Sequence, residues 1–249
     1  IRCEAMEDSE HLYIITVRCK PFEDEVFKST QPHEPATIHA YVVQMLRILK
    51  YLEERDVHHR DLSPDNLLIL PNGELVLADF AMSLRIRRVT KSNGQTQRTL
   101  MKCQGSFGTP AWMAPEIFCE ECFDGVLSDL WCVMHITYNL IMKRILFQIP
   151  SWSDFSYRFF ILAGADDFTR GVTTHDPEQR HQLVYRALEE IRDQPDARIR
   201  NDIELRTRAH RSLPPNIRKL FYNAFCNNPR ERWTLGQVCR SDYVVHGPR

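Results

Sequence analysis

The sequence predicts an α+β fold that is mainly helical, with a small amount of sheet near its start. Strand-type runs are confined to the first 17 residues and to one hairpin, Leu67–Leu70 with Leu75–Leu77. Past residue 30, apolar residues recur at helical spacing in one segment after another. A chain of 249 residues that is 43% hydrophobic and 26% charged is long enough to bury a full core.

The first element is Leu12–Val17 (LYIITV), an apolar, β-branched run that suits a strand buried on both faces. A polar connector, Cys19 to Pro35, follows. From Thr37 to Glu54 the stripe Ile38, Tyr41, Val42, Met45, Leu49 and Leu52 predicts an amphipathic helix. Next comes the hairpin, whose Pro71-Asn72-Gly73 is a turn signal because Asn and Gly tolerate positive φ. Between Phe80 and Pro115 there is no Asp or Glu, while Arg85, Arg87, Arg88, Lys91, Arg98 and Lys102 all occur. Such a segment repels itself, so a mobile loop is expected, centred on Ser92-Asn93-Gly94 and either plainly solvated or regulatory. Ser128–Ile145 reads as a buried helix with Ser128 as its N-cap, and Pro177–Asp193 as an amphipathic helix. Ile217–Phe225 and Leu235–Val238 are two more helices, parted by a turn at Asn227-Asn228-Pro229.

Composition excludes some classes of function. A formal net charge of −1 gives no global pull toward nucleic acid or an anionic membrane, so no nucleic-acid partner is expected and any basic function is local. The longest apolar run, Leu130–Met142, is too short to cross a bilayer and is interrupted by His135, Thr137 and Asn139, so no membrane span is expected. The eight cysteines, at 3, 19, 103, 119, 122, 132, 226 and 239, sit mostly in apolar segments and read as reduced thiols. The expected compartment is intracellular, of the reducing cytoplasmic type. Cys119 and Cys122 lack the second pair that structural zinc would need.

Chemistry gathers at the hairpin. Folding it brings its outer ends together, so that Asn66, entering the first strand, and Asp79, leaving the second, share one open end. Asp61 lies five residues before Asn66. Two carboxylates and a carboxamide at one edge suit a proton-abstracting base beside Mg²⁺, which takes a few protein oxygens and leaves its other positions to water and phosphate.

These residues also spell a family signature. His59-Arg60-Asp61-Leu62 with Asn66 resembles the catalytic loop of the eukaryotic protein kinases, and Asp79-Phe80-Ala81 resembles their metal-binding Asp-Phe-Gly. Gly108-Thr109-Pro110-Ala111-Trp112-Met113-Ala114-Pro115-Glu116 is similar to the end of the Ser/Thr-type activation segment. Asp129-Leu130-Trp131 resembles the start of the central buried helix, and Asn228-Pro229 with Arg232 and Thr234 the closing motif. The resemblance runs from Ile1 to about Val245.

The resemblance implies a protein kinase-like fold and transfer of the ATP γ-phosphate to a protein hydroxyl. Asp61 would be the base, Asn66 and Asp79 would hold Mg²⁺, and Thr109 would reach Asp61. Adenine would lie over Leu68 and against the hinge backbone at Thr16, Val17 and Cys19. Asp129 would hold the catalytic loop, Glu116 would pair with Arg232, and a phosphate on Thr99 or Ser106 would dock against Arg60. Two positions depart from the pattern at the site: Ser63 stands where Ser/Thr members usually carry a phosphate-steadying Lys, and Ala81 where they carry Gly. Met134 replaces a usual Gly in the central helix.

The expected division is a remnant of the small lobe with the hinge over 1–19, and the large C-terminal lobe over 20–249 with a helical insertion near 171–211. On that expectation the Gly-rich loop and phosphate-binding Lys are missing and the chain is inactive as it stands. Two other readings accompany the enzyme: a pseudokinase serving as scaffold or structural subunit of a protein complex, favoured by Ser63 and Ala81, and an ATP-binding regulator without turnover.

Overall fold

The computed structural model describes residues 4–85, 88–90, 94, 96–98, 101–102, 108–119, 122–151, 154, 156–157, 193, 212–226 and 228–249. Glu4–Glu7 (β1) and Leu12–Ile15 (β2) pair antiparallel, Glu4 opposite Ile15. Asp8 closes their turn by accepting hydrogen bonds from the backbone N–H groups of Glu10 and His11. The expectation that this strand is buried on both faces is not met: Leu12, Tyr13 and Ile15 are all exposed, since among the described residues no further layer covers the ribbon.

The segment after it is more ordered than its polarity predicts. Lys20–Pro21 (β3) joins the hairpin, and a short π-helical turn, Glu23–Phe27, drives Phe22 and Val26 into the core, Phe22 meeting Tyr41 edge to face at 5.2 Å. Helix α1, Pro35–Glu54, buries Ile38, Val42, Met45, Leu46, Leu49 and Leu52: of the stripe read from the sequence Tyr41 is only half-buried, and Leu46 is added. Val57–His58 (β4) follows it.

The hairpin forms as expected, from Leu67–Ile69 (β5) and Leu75–Leu77 (β6), with β3 on its outer edge: Pro21 lies opposite Leu68 and Leu67 opposite Leu77. Gly73 takes φ +86 in the turn, and Gln44 of α1 accepts a 2.8 Å hydrogen bond from Leu75 N–H, which docks the hairpin on the helix. The acid-free segment contains strands that its composition does not reveal. Leu84–Arg85 (β7) pairs with β4, Arg88–Thr90 (β8) with Thr96–Arg98 (β9), and Met101–Lys102 (β10) with Cys122–Phe123 (β11). Gly94, at φ +78, sits between β8 and β9. Pairing of backbone groups, which side-chain charge does not forbid, makes a hairpin of the stretch expected as loop.

Glu116–Cys119 (α2) leads to the central helix α3, Gly125–Met142. Its cap is Asp124, not Ser128: Asp124 accepts hydrogen bonds from the N–H groups of Val126 and Leu127 at 2.9 and 3.4 Å. The extra turn is hidden in the sequence by Gly125, a weak helix former required here because a Cβ would fall 2.5 Å from the His58 ring. Buried polar groups on α3 bond within the helix, Thr137 Oγ1 to Val133 O and Asn139 Nδ2 to His135 O. Trp131 packs on Phe225 at 4.2 Å, and Met134, in place of a usual Gly, is fully buried. Pro215–Ala224 (α4), Leu235–Cys239 (α5) and Asp242–His246 (α6) close the described fold. The helix expected over Pro177–Asp193 and the insertion near 171–211 lie outside the described residues, Asp193 alone excepted.

His135 sits inside α3 against the rings of Trp112, Phe147 and Phe225. Burial, only partly offset by the Ala111 backbone, pushes its pKa down to about 3. A histidine depressed in the native state binds fewer protons than in the unfolded chain, so stability is lost as pH falls below the ordinary value near 6.5. Between pH 7 and pH 5 this one group should cost about 2 kcal/mol. His135→Phe should therefore flatten the fall in Tm between those pH values; an unchanged slope would mean that His135 does not stay neutral.

Candidate active site

The loop after β4 is fixed from below. Asp129, near the start of α3 and 1% exposed, accepts hydrogen bonds from His59 N–H (2.7 Å) and Arg60 N–H (3.0 Å). Burial pushes its carboxyl pKa up to about 6, the two amides pulling the other way. Arg60 adopts φ +72, a left-handed turn that reverses the chain into Asp61. His59 Nε2–H donates to the carbonyl of Ala78 at 2.9 Å, and its ring meets Phe80 edge to face at 4.9 Å. The loop that carries Asp61 is thereby tied to the strand end that carries Asp79. The sequence marks His59 only as part of a motif; its link to Ala78 depends on a contact 19 residues away.

Asp61 collects donors from two sides. Asn66 Nδ2 donates to the Asp61 backbone oxygen at 2.7 Å and to its Oδ2 at 3.3 Å. Thr109 donates both its N–H (2.9 Å) and its hydroxyl (3.1 Å) to Asp61 Oδ1. Asn66 closes the helical turn Pro64–Asn66, with its carbonyl bound by Ala78 N–H, so Asn66 lies opposite Ala78 and Asp79 is one residue further out at the same open end. Asp79 is exposed, has φ +56 and accepts from Ala81 N–H at 3.2 Å. Beside this loop Glu23 is held above the usual carboxylate range by the Asp65 side chain and by burial, against the pull of Lys28 at 3.1 Å.

Gly108 makes the Thr109 contact possible. At φ +101 it lies so close to the loop that a Cβ would stand 2.7 Å from Arg60 O. Gly108→Ala is expected to cost about 1–3 kcal/mol of stability, the range for a strained backbone position. Thermal unfolding checks it; an unshifted Tm would show that Thr109 is not held this way.

The other sequence-derived positions fall in two groups. Thr16, Val17 and Cys19 form the connection between β2 and β3, where Thr16 Oγ1 and Cys19 Sγ both approach Val17 O at 3.4 and 3.3 Å. Because β3 pairs with β5, this connection runs to the edge of the strand bearing Leu68, which is half-buried. Ser63 is 1% exposed and its hydroxyl has no hydrogen-bond partner among the described residues, so it faces the interior and not the side of Asp61 open to solvent. Thr99 and Ser106 lie outside the described residues.

The donor set fits Mg²⁺. Asn66 spends its N–H groups on Asp61, which leaves its carboxamide oxygen as the group to offer a ligand, and Asp79 adds an exposed carboxylate at the same hairpin end. Hard oxygen donors, few in number, are what Mg²⁺ takes when phosphate and water complete its shell.

A buried helix anchoring the Asp61 loop, with oxygen donors at the adjoining hairpin end, is the arrangement against which the comparisons with known proteins are set. The chain belongs to the eukaryotic protein kinase superfamily: the family model described as protein kinase domain matches residues 2–244. Among curated proteins it is 34% identical over 113 residues to CBL-interacting protein kinase 15 of Oryza sativa subsp. japonica, covering 45% of this chain and 24% of that protein. It is 33% identical over 142 residues to serine/threonine-protein kinase NLK2 of Xenopus laevis (57% and 30%). Over 211 residues it is 24% identical to the probable serine/threonine-protein kinase RTK1 of Saccharomyces cerevisiae (85% and 28%). The matched regions amount to about a quarter of the length of these relatives. Protein kinases as a family use ATP and Mg²⁺ and act on proteins. Among the described residues no helix is long and apolar enough to cross a membrane.

Proposed function

We propose that this chain is the catalytic region of a Ser/Thr protein kinase. The observation that carries the reading is the convergence on Asp61, whose carboxylate is held at once by Asn66 from the hairpin and by Thr109 from the segment before α2. Asp61 accepts the proton of the substrate hydroxyl and orients its oxygen. Asn66 and Asp79 would hold Mg²⁺, which when bound would supply charge neutralisation at the phosphates. Thr16, Val17 and Cys19 would offer backbone to adenine, and Leu68 would contribute the apolar side of its site. Thr109 keeps Asp61 aimed, and Asp129 keeps the loop rigid under it.

On this reading residues 1–19 are the hinge and last strands of the small lobe and 20–249 the large lobe, with an insertion near 171–211. The buried thiols of Cys132 and Cys226 support a reducing, intracellular compartment. One observation favours the ATP-binding regulator without turnover: Ser63 turns inward where the family places a phosphate-steadying cation. The test is phosphate incorporation from labelled ATP into Ser, Thr and Tyr peptides by the protein. Ser and Thr peptides should be labelled in a Mg²⁺-dependent manner, with loss of at least a hundredfold in Asp79→Asn, consistent with removal of an electrostatic contact to the reacting group. Labelling of Tyr peptides alone would overturn the Ser/Thr assignment.

A further inference from the structure

A cavity of about 280 Å³ lies at the junction of α4, α5 and α6, and none of the candidate active-site residues lines it. Its apolar part is Leu220, buried, and Trp233, half-buried. Around these stand Lys219, Gln237 and Arg240, all exposed. Gln237 commits its oxygen to Thr234, accepting from N–H at 2.8 Å and from the hydroxyl at 3.0 Å, so the group it has left to offer is its N–H₂ donor. Among the described residues no carboxylate lies within ion-pair distance of Lys219 or Arg240. The single acid in the lining, Asp242, is approached by His246 at 3.9 Å and Arg249 at 4.0 Å. The cavity is therefore an indole surface flanked by the Gln237 donor, by Asp242, and by Lys219 and Arg240, which have no carboxylate partner among the described residues, on a chain whose overall charge is only −1.

We propose that this groove docks an acidic segment of a protein partner, in which carboxylates flank one bulky apolar side chain. The apolar side chain packs on Trp233 and Leu220, and the carboxylates meet Arg240, whose planar fork suits bidentate pairing, and Lys219. Exposed ion pairs of this kind are individually weak and screened by salt, so the contact is a transient, charge-selected one. It goes beyond phosphoryl transfer and uses none of Asp61, Asn66 or Asp79, so its failure leaves the kinase reading untouched.

Fluorescence-anisotropy titration of the chain with labelled peptide Asp-Glu-Phe-Asp-Glu, and with Lys-Arg-Phe-Lys-Arg as its charge-reversed counterpart, tests this. The acidic peptide should bind saturably and more weakly as salt rises, and Lys219→Glu with Arg240→Glu should weaken it at least tenfold. Lys20→Glu, the same charge change on β3, should leave it unaffected. The doubly reversed chain should gain affinity for the basic peptide, which separates lost charge from lost folding. No saturable binding, equal binding of the two peptides, or an acidic-peptide affinity untouched by the double variant would overturn the proposal. So would self-association of the chain, seen by sedimentation and abolished by the double variant, because the occupant would then be a second copy.

Discussion

Asp61→Asn is expected to lower kcat for Ser/Thr peptide phosphorylation by about 10²–10⁴-fold, the usual contribution of a positioned general base. Asn at this position still accepts hydrogen bonds through its carbonyl oxygen, so the contacts from Thr109 need not be lost. KM for peptide and Mg·ATP affinity should therefore change little, and the loss should appear in kcat. That split distinguishes a base from a residue that merely shapes the pocket. A kcat within threefold of wild type would remove Asp61 from the proton-transfer role.

Arg232→Met should have the largest effect on stability. Arg232 donates to both oxygens of Glu116, at 2.7 and 2.9 Å, with both side chains fully buried, and also to the carbonyls of Cys226 and Leu127. Its guanidinium lies over the Trp131 ring at 4.9 Å. Removing it strands the Glu116 carboxylate out of water, which costs about 3–5 kcal/mol. For a chain of this size that is a Tm lower by roughly 6–20 °C. The double variant Arg232→Met with Glu116→Leu should recover part of this, since no charge is left buried, but not all, because two carbonyls have lost their donor. Equal instability of single and double variants would show that the carbonyl contacts, not the ion pair, hold α2 against the end of the fold.

Much of this was readable from sequence because the decisive signals are local. The α1 stripe, the hairpin strands and the order of the motifs each occupy a few neighbouring residues, and the pairing of Leu67 with Leu77 follows directly. Site residues close in the chain, Asp61 with Asn66, came with them. What was illegible depends on distant partners. Phe22 and Val26 look like part of a polar connector until α1 supplies Tyr41 as a neighbour. The start of α3 at Gly125 is intelligible only with the His58 ring beside it. The short strands between Leu84 and Lys102 depend on backbone pairing, which charge composition does not report. Ser63 is legible in the sequence only by its place in a motif, whereas its inward orientation is a property of the packed loop.

On the proposed function, Asp61, Asn66 and Asp79 serve phosphoryl transfer and not nucleotide binding alone. Single-turnover transfer by the wild-type protein, measured together with its Mg·ATP affinity, addresses this most directly. Mg·ATP is expected to bind and its γ-phosphate to appear on a Ser or Thr hydroxyl. A protein that binds Mg·ATP with ordinary affinity and transfers nothing would contradict it.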